Sequence, residues 1–463
     1  MAPVVCRAPT SKHHGECNQR THAGWPRSPD HALGRPRGDL VFRLPHCLRS
    51  PRSMAVPSSR LITHPGGVMA GALDGIRILD VSTALTGPYP AALLGDQGAE
   101  VIKVERPGLG DLARWVGVAV NGVSALFQAC NRGKRSIALD ISTPDGLAII
   151  RELAARSDVV IQNMRPGVAD RLGIGWDDLS RGRDDLVYIS LSGFGQTGPY
   201  AQRGAYDTVI QAYAGLGTNQ ADPEDGTPVF LRQTAADKIT AMYAVQAITA
   251  ALFARERGMG GQHVELSMAD SVVSFLWADA AGNEVMLDSD GSMNSSFVQG
   301  SKPFRFLDGY GIATPTSDAD FHGMCEALGV EGHQDPRVAT IGERRKHPEI
   351  SGQIMSECHQ AALSFSSAEI SERMESLNVP FALVVDPKDL PDDPHAKAIG
   401  MFEEFDHPVA GRVRQPRHPA RFRGTPATLQ TVSPTLGQHT DEILIEIGRG
   451  ADIAGLRDAK VVF

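Results

Sequence analysis

Apolar and polar positions change period repeatedly between residues 76 and 191. Residues 76–81 form a short apolar run, Leu85-Thr86-Gly87-Pro88 reads as a turn, residues 89–95 as a helix, and residues 101–104 as a second apolar run. That order predicts a β-α-β unit. The alternation continues with a helix over 145–155, a strand over 159–162, a helix over 168–172 and a strand over 187–191. Strands alternating with helices predict a doubly wound, Rossmann-like α/β sheet whose ligands sit near the carboxyl ends of the strands. Residues 239–252 carry apolar side chains at helical spacing through Met242, Val245, Ile248 and Leu252. This helix starts near Asp237 and ends at the glycines of 257–262, and a strand over 263–266 follows.

Residues 288–300 are rich in Ser, Asp, Asn and Gly and read as a linker. A smaller α+β unit follows, with strands near 304–307 and 381–385 and helices between them. From Ala396 onward the chain shows short Pro-rich and Gly-rich turns, then a helical stretch over 440–447. The tail has too few apolar residues for a core of its own, so it is expected to return to the first sheet. The expected organisation is an extension over 1–68, the first part of a large domain over 70–287, linker and small domain over 288–395, and the return over 396–463.

Composition changes the picture mainly at the N-terminus. The first 70 residues hold 10 Lys and Arg against 3 Asp and Glu, a charge of +7 that leaves −16 on the rest of a chain totalling −9. They also hold six of the 15 His and three of the six Cys, without helical or strand period. Residues 1–68 therefore read as disordered or as no part of the natural product, with translation starting near Met69. A mitochondrial transit peptide is the alternative, although Pro, Cys and His interrupt the amphipathic helix such a leader needs. The cluster His13, His14 and Cys17 has no second ligand pair at metal-binding spacing. Three Cys beyond residue 70 suit a reducing, cytoplasmic setting. No apolar run reaches membrane-spanning length, and the acidic body argues against nucleic acid as a partner.

Two acidic residues stand out. Asp237 sits at a helix start, where backbone N–H groups and the helix dipole favour a carboxylate as a cap or as a nucleophile. Glu105 ends the second strand, about where a dinucleotide fold places its ribose-binding acid. The G-x-G-x-x-G fingerprint is absent, and Arg106 follows directly, a better partner for phosphate. The alternative reading of Lys103, Glu105 and Arg106 is a surface charge pattern.

A set of ordered local patterns resembles the family III CoA-transferases, which include the α-methylacyl-CoA racemases. They are Leu73-Asp74-Gly75-Ile76, Gly87-Pro88, the run from Leu94-Gly95-Asp96 to Lys103-Val104-Glu105, Asn131-Arg132-Gly133-Lys134-Arg135-Ser136 and Leu139-Asp140. Asn163-Met164-Arg165-Pro166-Gly167, the run from Ser192-Gly193-Phe194 to Gly198-Pro199-Tyr200, and Gly260-Gly261-Gln262 complete the set. The resemblance spans 72–447. It implies that Asp237 attacks an acyl-CoA and passes through an aspartyl anhydride and a β-aspartyl-CoA thioester to a small carboxylic acid acceptor. Coenzyme A is then a substrate, with no permanent cofactor and no metal. Arg106 would meet its adenosine end, Leu139, Asn163 and Met164 would line adenine or pantetheine, and Arg171 would contact phosphate. Val168 and Leu172 would pack beside them, and Ala84 and Leu85 would complete the site. An interlocked homodimer is also implied.

Departures from the family pattern narrow the reaction. Tyr206-Asp207 replaces the racemase His-Asp pair, and a phenol is a poor base near neutrality. Leu85 replaces the Gln of the formyl-CoA branch, and no glycine run stands near Gly300-Ser301-Lys302 to shield a thioester, so either a Gly309-Tyr310-Gly311 turn replaces that loop or protection is achieved otherwise. The remaining readings are a 2-methylacyl-CoA racemase using Asp207 or Asp237 as base, and a CoA-binding homologue without catalysis. Tyr206, Tyr213, Arg203 and Lys238 are candidates to shape the acid pocket.

Overall fold

The computed structural model describes residues 71–288 and 302–463; the readings on 1–68 and most of the linker lie outside them. Six parallel strands make the central sheet: β1 (Arg77–Asp80), β2 (Glu100–Glu105), β3 (Lys134–Ala138), β4 (Val159–Gln162), β5 (Val187–Ser192) and β6 (Gln262–Ser267). Their order is β3-β2-β1-β4-β5-β6, with Leu79 of β1 opposite both Ile102 of β2 and Val160 of β4. The sequence order thus reverses direction between β1 and β4, where such sheets open a crevice for ligands.

Side-chain alternation explains why the strands read as unbroken apolar runs. Ile78, Val159, Ile161, Val187 and Ile189 bury one face against α1 (Pro88–Asp96) and α5 (Ala235–Ala254). Leu79, Val160 and Tyr188 bury the other against α3 (Pro144–Ala155). Covering both faces leaves no polar stripe. Between these helices stand α2 (Ala125–Asn131) and α4 (Asp207–Tyr213), and α6 (Met268–Trp277) follows β6. The C-terminal α7 (Thr440–Glu446) joins the second face through Ile443 and Leu444, and Val462 bridges to Leu139.

A separate core of Phe304, Phe306, Phe321, Met324, Ile354 and Met374 supports a three-stranded sheet of Phe304–Arg305, Tyr310–Ala313 and Phe381–Leu383. Tyr310 and Gly311, expected in a turn, lie instead in the middle strand of this sheet. Gly311 fits there because a Cβ would stand 2.7 Å from the Phe381 ring, so the strand must lack one for that ring to pack. The tail also departs from expectation, since Phe402–His407 and Gly411–Pro416 form an antiparallel pair. Their apolar content is low, and Arg412 and Arg414 both reach Glu404 across the pair.

Candidate active site

The site is organised by the turn between β1 and α1, which a buried charge lattice and one amide hold in place. Asp80, the last residue of β1, accepts from Lys134 Nζ at 2.7 Å and from the Ser82 N–H at 3.0 Å, and Lys103 Nζ lies 3.6 Å away. Lys103 also pairs with Asp111 at 2.7 Å and donates to the Ser82 carbonyl. Burial alone would raise the Asp80 carboxyl, but the two ammonium groups overrule it and hold it at about 2. Asn163, just beyond β4, accepts from the Thr83 N–H at 2.9 Å and donates to the Thr83 carbonyl at 2.7 Å. Asp111 accepts from the Ala84 N–H at 2.8 Å, and Ala84 has φ 69°, a left-handed conformation that a residue with a Cβ keeps only when its surroundings impose it.

This turn delivers Thr86 to Asp237, whose carboxylate accepts from the Thr86 hydroxyl. Asp237 is the third residue of α5, and Thr234 stands at the N-cap position. The cap reading is therefore corrected. Among the described residues no backbone N–H donates to the Asp237 carboxylate, because that side chain turns toward Thr86. Its own N–H donates to Asp207 at 3.1 Å instead. Burial pushes the Asp237 carboxyl up to about 6; Thr86 and Lys238 lower it and the Asp207 carboxylate raises it. The helix start was expected to favour the anion, but burial outweighs that effect and leaves a carboxyl that titrates closer to neutrality than an ordinary one.

A cavity of about 480 Å³ opens at the carboxyl ends of β1 and β2. It brings together Arg106, Leu139, Asn163 and Met164 with Ser82 and Thr83 of the turn. Arg106 is exposed and Leu139 buried. Val168 and Arg171 lie on the short helix Val168–Arg171 and Leu172 just beyond it; none of the three lines this cavity. Neither Ala84 nor Leu85 lines it, and Leu85 is buried beside α1.

Glu105 is not available to a ribose. Arg114 donates to both of its oxygens at 2.7 Å, Ser136 Oγ donates at 2.7 Å and the Asp111 N–H at 3.0 Å. Lys103 and Glu105 are both buried, so the surface-pattern reading is overturned for these two and holds for Arg106 alone. Sequence reasoning missed Thr86, Lys103, Asp111 and Lys134 as parts of the site. A lysine between Ile102 and Val104 in a predicted buried strand was the one available signal, because a lysine is buried there only with an acidic partner. Tyr206 is 73 % exposed, whereas Arg203 stacks on Tyr200, which meets Tyr213 edge to face.

The model of CoA-transferase family III matches residues 73–440. The chain is 33% identical over 399 residues to succinyl-CoA:glutarate CoA-transferase of Homo sapiens, covering 84% of this chain and 90% of that protein. It is 31% identical over 386 residues to succinate–glutarate CoA-transferase of Agrobacterium fabrum, covering 81% and 95%. A solved CaiB/BaiF family protein from Brucella suis superposes with a TM-score of 0.71 at 31% identity, covering 82% of this chain and 100% of that one.

Proposed function

The chain belongs to CoA-transferase family III and is a CoA-transferase, and from that premise we propose that Asp237 is its nucleophile. The Asp237 carboxylate attacks the thioester carbonyl of an acyl-CoA, and the C–S bond breaks to give a mixed anhydride and CoA thiolate. The thiolate attacks the aspartyl carbonyl, releasing the donor as a free carboxylate and leaving a β-aspartyl-CoA thioester. An acceptor carboxylate attacks that thioester, CoA thiolate leaves again, and its attack on the acceptor's acyl carbonyl regenerates the Asp237 carboxylate. Protons and electrons balance without a further reactant. The similar proteins named for succinate and glutarate support short dicarboxylates as the acids exchanged.

The observation that carries this reading is the contact between Asp237 and Thr86 on the turn that also walls the cavity holding Arg106, Asn163 and Leu139. One short segment thus links a nucleophile to a cavity suited to CoA. In that cavity Arg106 would meet phosphate, and Leu139 and Met164 would supply apolar contact. Arg171, Val168 and Leu172 would contact CoA only from outside it. Intact and peptide mass spectrometry after incubation with acyl-CoAs tests the chemistry. An acyl or CoA adduct on the peptide containing Asp237 is expected; turnover with no adduct at that carboxylate would overturn the assignment.

The raised carboxyl sets the pH response. Only the anion attacks, so kcat/KM should fall about tenfold per pH unit below about 6 and level off above it. Thr86→Val removes a donor that lowers the Asp237 pKa, so the midpoint of its profile should move upward. An unmoved midpoint would show that another group controls this limb. We also propose a dimer, supported by Met242, Phe253, Phe275 and Trp277, which leave apolar surface exposed on α5 and α6. Sedimentation equilibrium should give twice the chain mass at micromolar concentration, and a monomer mass would refute it.

A further inference from the structure

A second cavity, of about 370 Å³, opens beside the same β1–α1 turn. Leu85, Leu93 and Leu126 form part of its apolar wall, and Lys238, Gln415 and Arg417 also line it, with no acidic residue among them. Neither Thr86 nor Asp237 lines it, but the residue before Thr86, Leu85, and the residue after Asp237, Lys238, both do.

Its cations Lys238 and Arg417 lack ion-pair partners, although the Asp237 carboxylate acts on Lys238 through space. Among the described residues no carboxylate pairs with Lys238 or Arg417; the Arg417 guanidinium donates to the carbonyls of Gly400, His418 and Pro419 at 2.7–3.2 Å. Arg132, also in the wall, is by contrast spent on Asp96 at 2.6 Å. Gln415 is 6 % exposed, and its Oε1 is buried without a partner. A side-chain amide turned by half a revolution puts Nε2 in that position, so Gln415 can offer a donor as well as an acceptor there. An amide oxygen without a partner and two cations not paired to a carboxylate, beside an apolar wall, match an aliphatic chain that ends in a carboxylate.

We propose that this cavity is the acyl subsite, that it takes the chain of a dicarboxylate, and that Lys238, Arg417 and Gln415 hold the carboxylate remote from the reacting one. The assignment rests on Asp237 being the nucleophile. A monocarboxylate of equal length would leave the cations and the amide without a counterpart, and the cost of that mismatch is the source of selectivity.

The test compares glutarate and pentanoate as acceptors with one donor thioester at pH 8, where Asp237 is ionised, using the full chain. Wild-type protein should favour glutarate in kcat/KM by about 100-fold or more. Lys238→Gln and Arg417→Gln should each raise KM for glutarate about tenfold while moving KM for pentanoate less than twofold. Leu126→Trp, which fills the cavity, should raise KM for both acids. If Arg417→Gln fails to fold because its carbonyl contacts are lost, the Lys238→Gln comparison still decides. Equal use of both acids by the wild type, or an unmoved glutarate KM in Lys238→Gln, overturns the subsite. Those results together with an adduct on Asp237 sink the subsite alone, whereas loss of the adduct sinks the nucleophile assignment.

Discussion

Asp237→Ala should lower CoA transfer by about four orders of magnitude, the scale on which removing a covalent nucleophile slows an enzyme. Affinity for CoA should change little, because Arg106, Leu139 and Asn163 line a cavity that Asp237 does not. Steady-state transfer assays and equilibrium titration with CoA check the two halves separately. Asp237→Asn should be equally inactive, since an amide can still accept from Thr86 but is a poor nucleophile. The Asn variant should also be more stable than wild type at pH 8. A carboxyl whose folded pKa is raised to about 6 from an ordinary 3.8 destabilises the fold above that range, and the cost disappears as pH falls below the unfolded value. The gain in unfolding free energy should therefore be about 1–3 kcal/mol at pH 8 and shrink toward zero near pH 4. A transfer rate within tenfold of wild type in Asp237→Ala would end the proposal that this residue forms the covalent intermediate.

Asp80→Asn should cost about 3–5 kcal/mol, the usual result of removing one partner from a buried ion pair. Asp80 lies fully buried between Lys103 and Lys134, and the substitution leaves two ammonium groups facing a neutral amide. Lys103 retains Asp111 at 2.7 Å, and Lys134 retains the Pro88 carbonyl at 2.8 Å and Asn131 at 2.9 Å, which limits the loss. Urea unfolding at pH 7 measures it. The double variant Asp80→Asn with Lys134→Met should recover part of the stability, because it removes the charge left unpaired. The pH dependence has a fixed sign. A carboxyl held at about 2 from 3.8 stabilises the fold above pH 4, and that contribution, about 2 kcal/mol, is lost as pH falls toward 2. Asp80→Asn should flatten this acid limb. A cost below about 1 kcal/mol would mean that the lattice orients the β1–α1 turn without stabilising the fold.

The two predictions concern parts of the protein that differ in how far they could be read from the chain. The strand over 159–162 falls where its apolar run places it, and the helix carrying Asp237 begins within two residues of that position. Both follow from short-range periodicity, which each segment expresses regardless of what lies elsewhere. The hairpin 402–416 was misread because its strands are held by Glu404 and two arginines rather than by an apolar face. Gly311 was misread as a turn residue because the ring that requires it, Phe381, comes 70 residues later. Arg106 and Asn163 were named from their motifs, but the use of Asn163 as a clamp on Thr83 was not legible, since both contacts span 80 residues.

By itself, the sequence determined the alternation that builds a doubly covered parallel sheet, the family, and the position of Asp237 in the first turn of a long helix. Only the tertiary structure decided the charge state of that carboxylate, because the Thr86 hydroxyl that touches it is 151 residues away and the burial that raises its pKa comes from several elements at once. Tertiary structure alone likewise turned Glu105 from a ligand-binding acid into the partner of Arg114, and placed Lys238 and Arg417 on one cavity. Secondary structure answers to neighbours three or four residues apart, whereas dielectric, charge pairing and cavity shape are set by whatever the fold brings within a few ångströms.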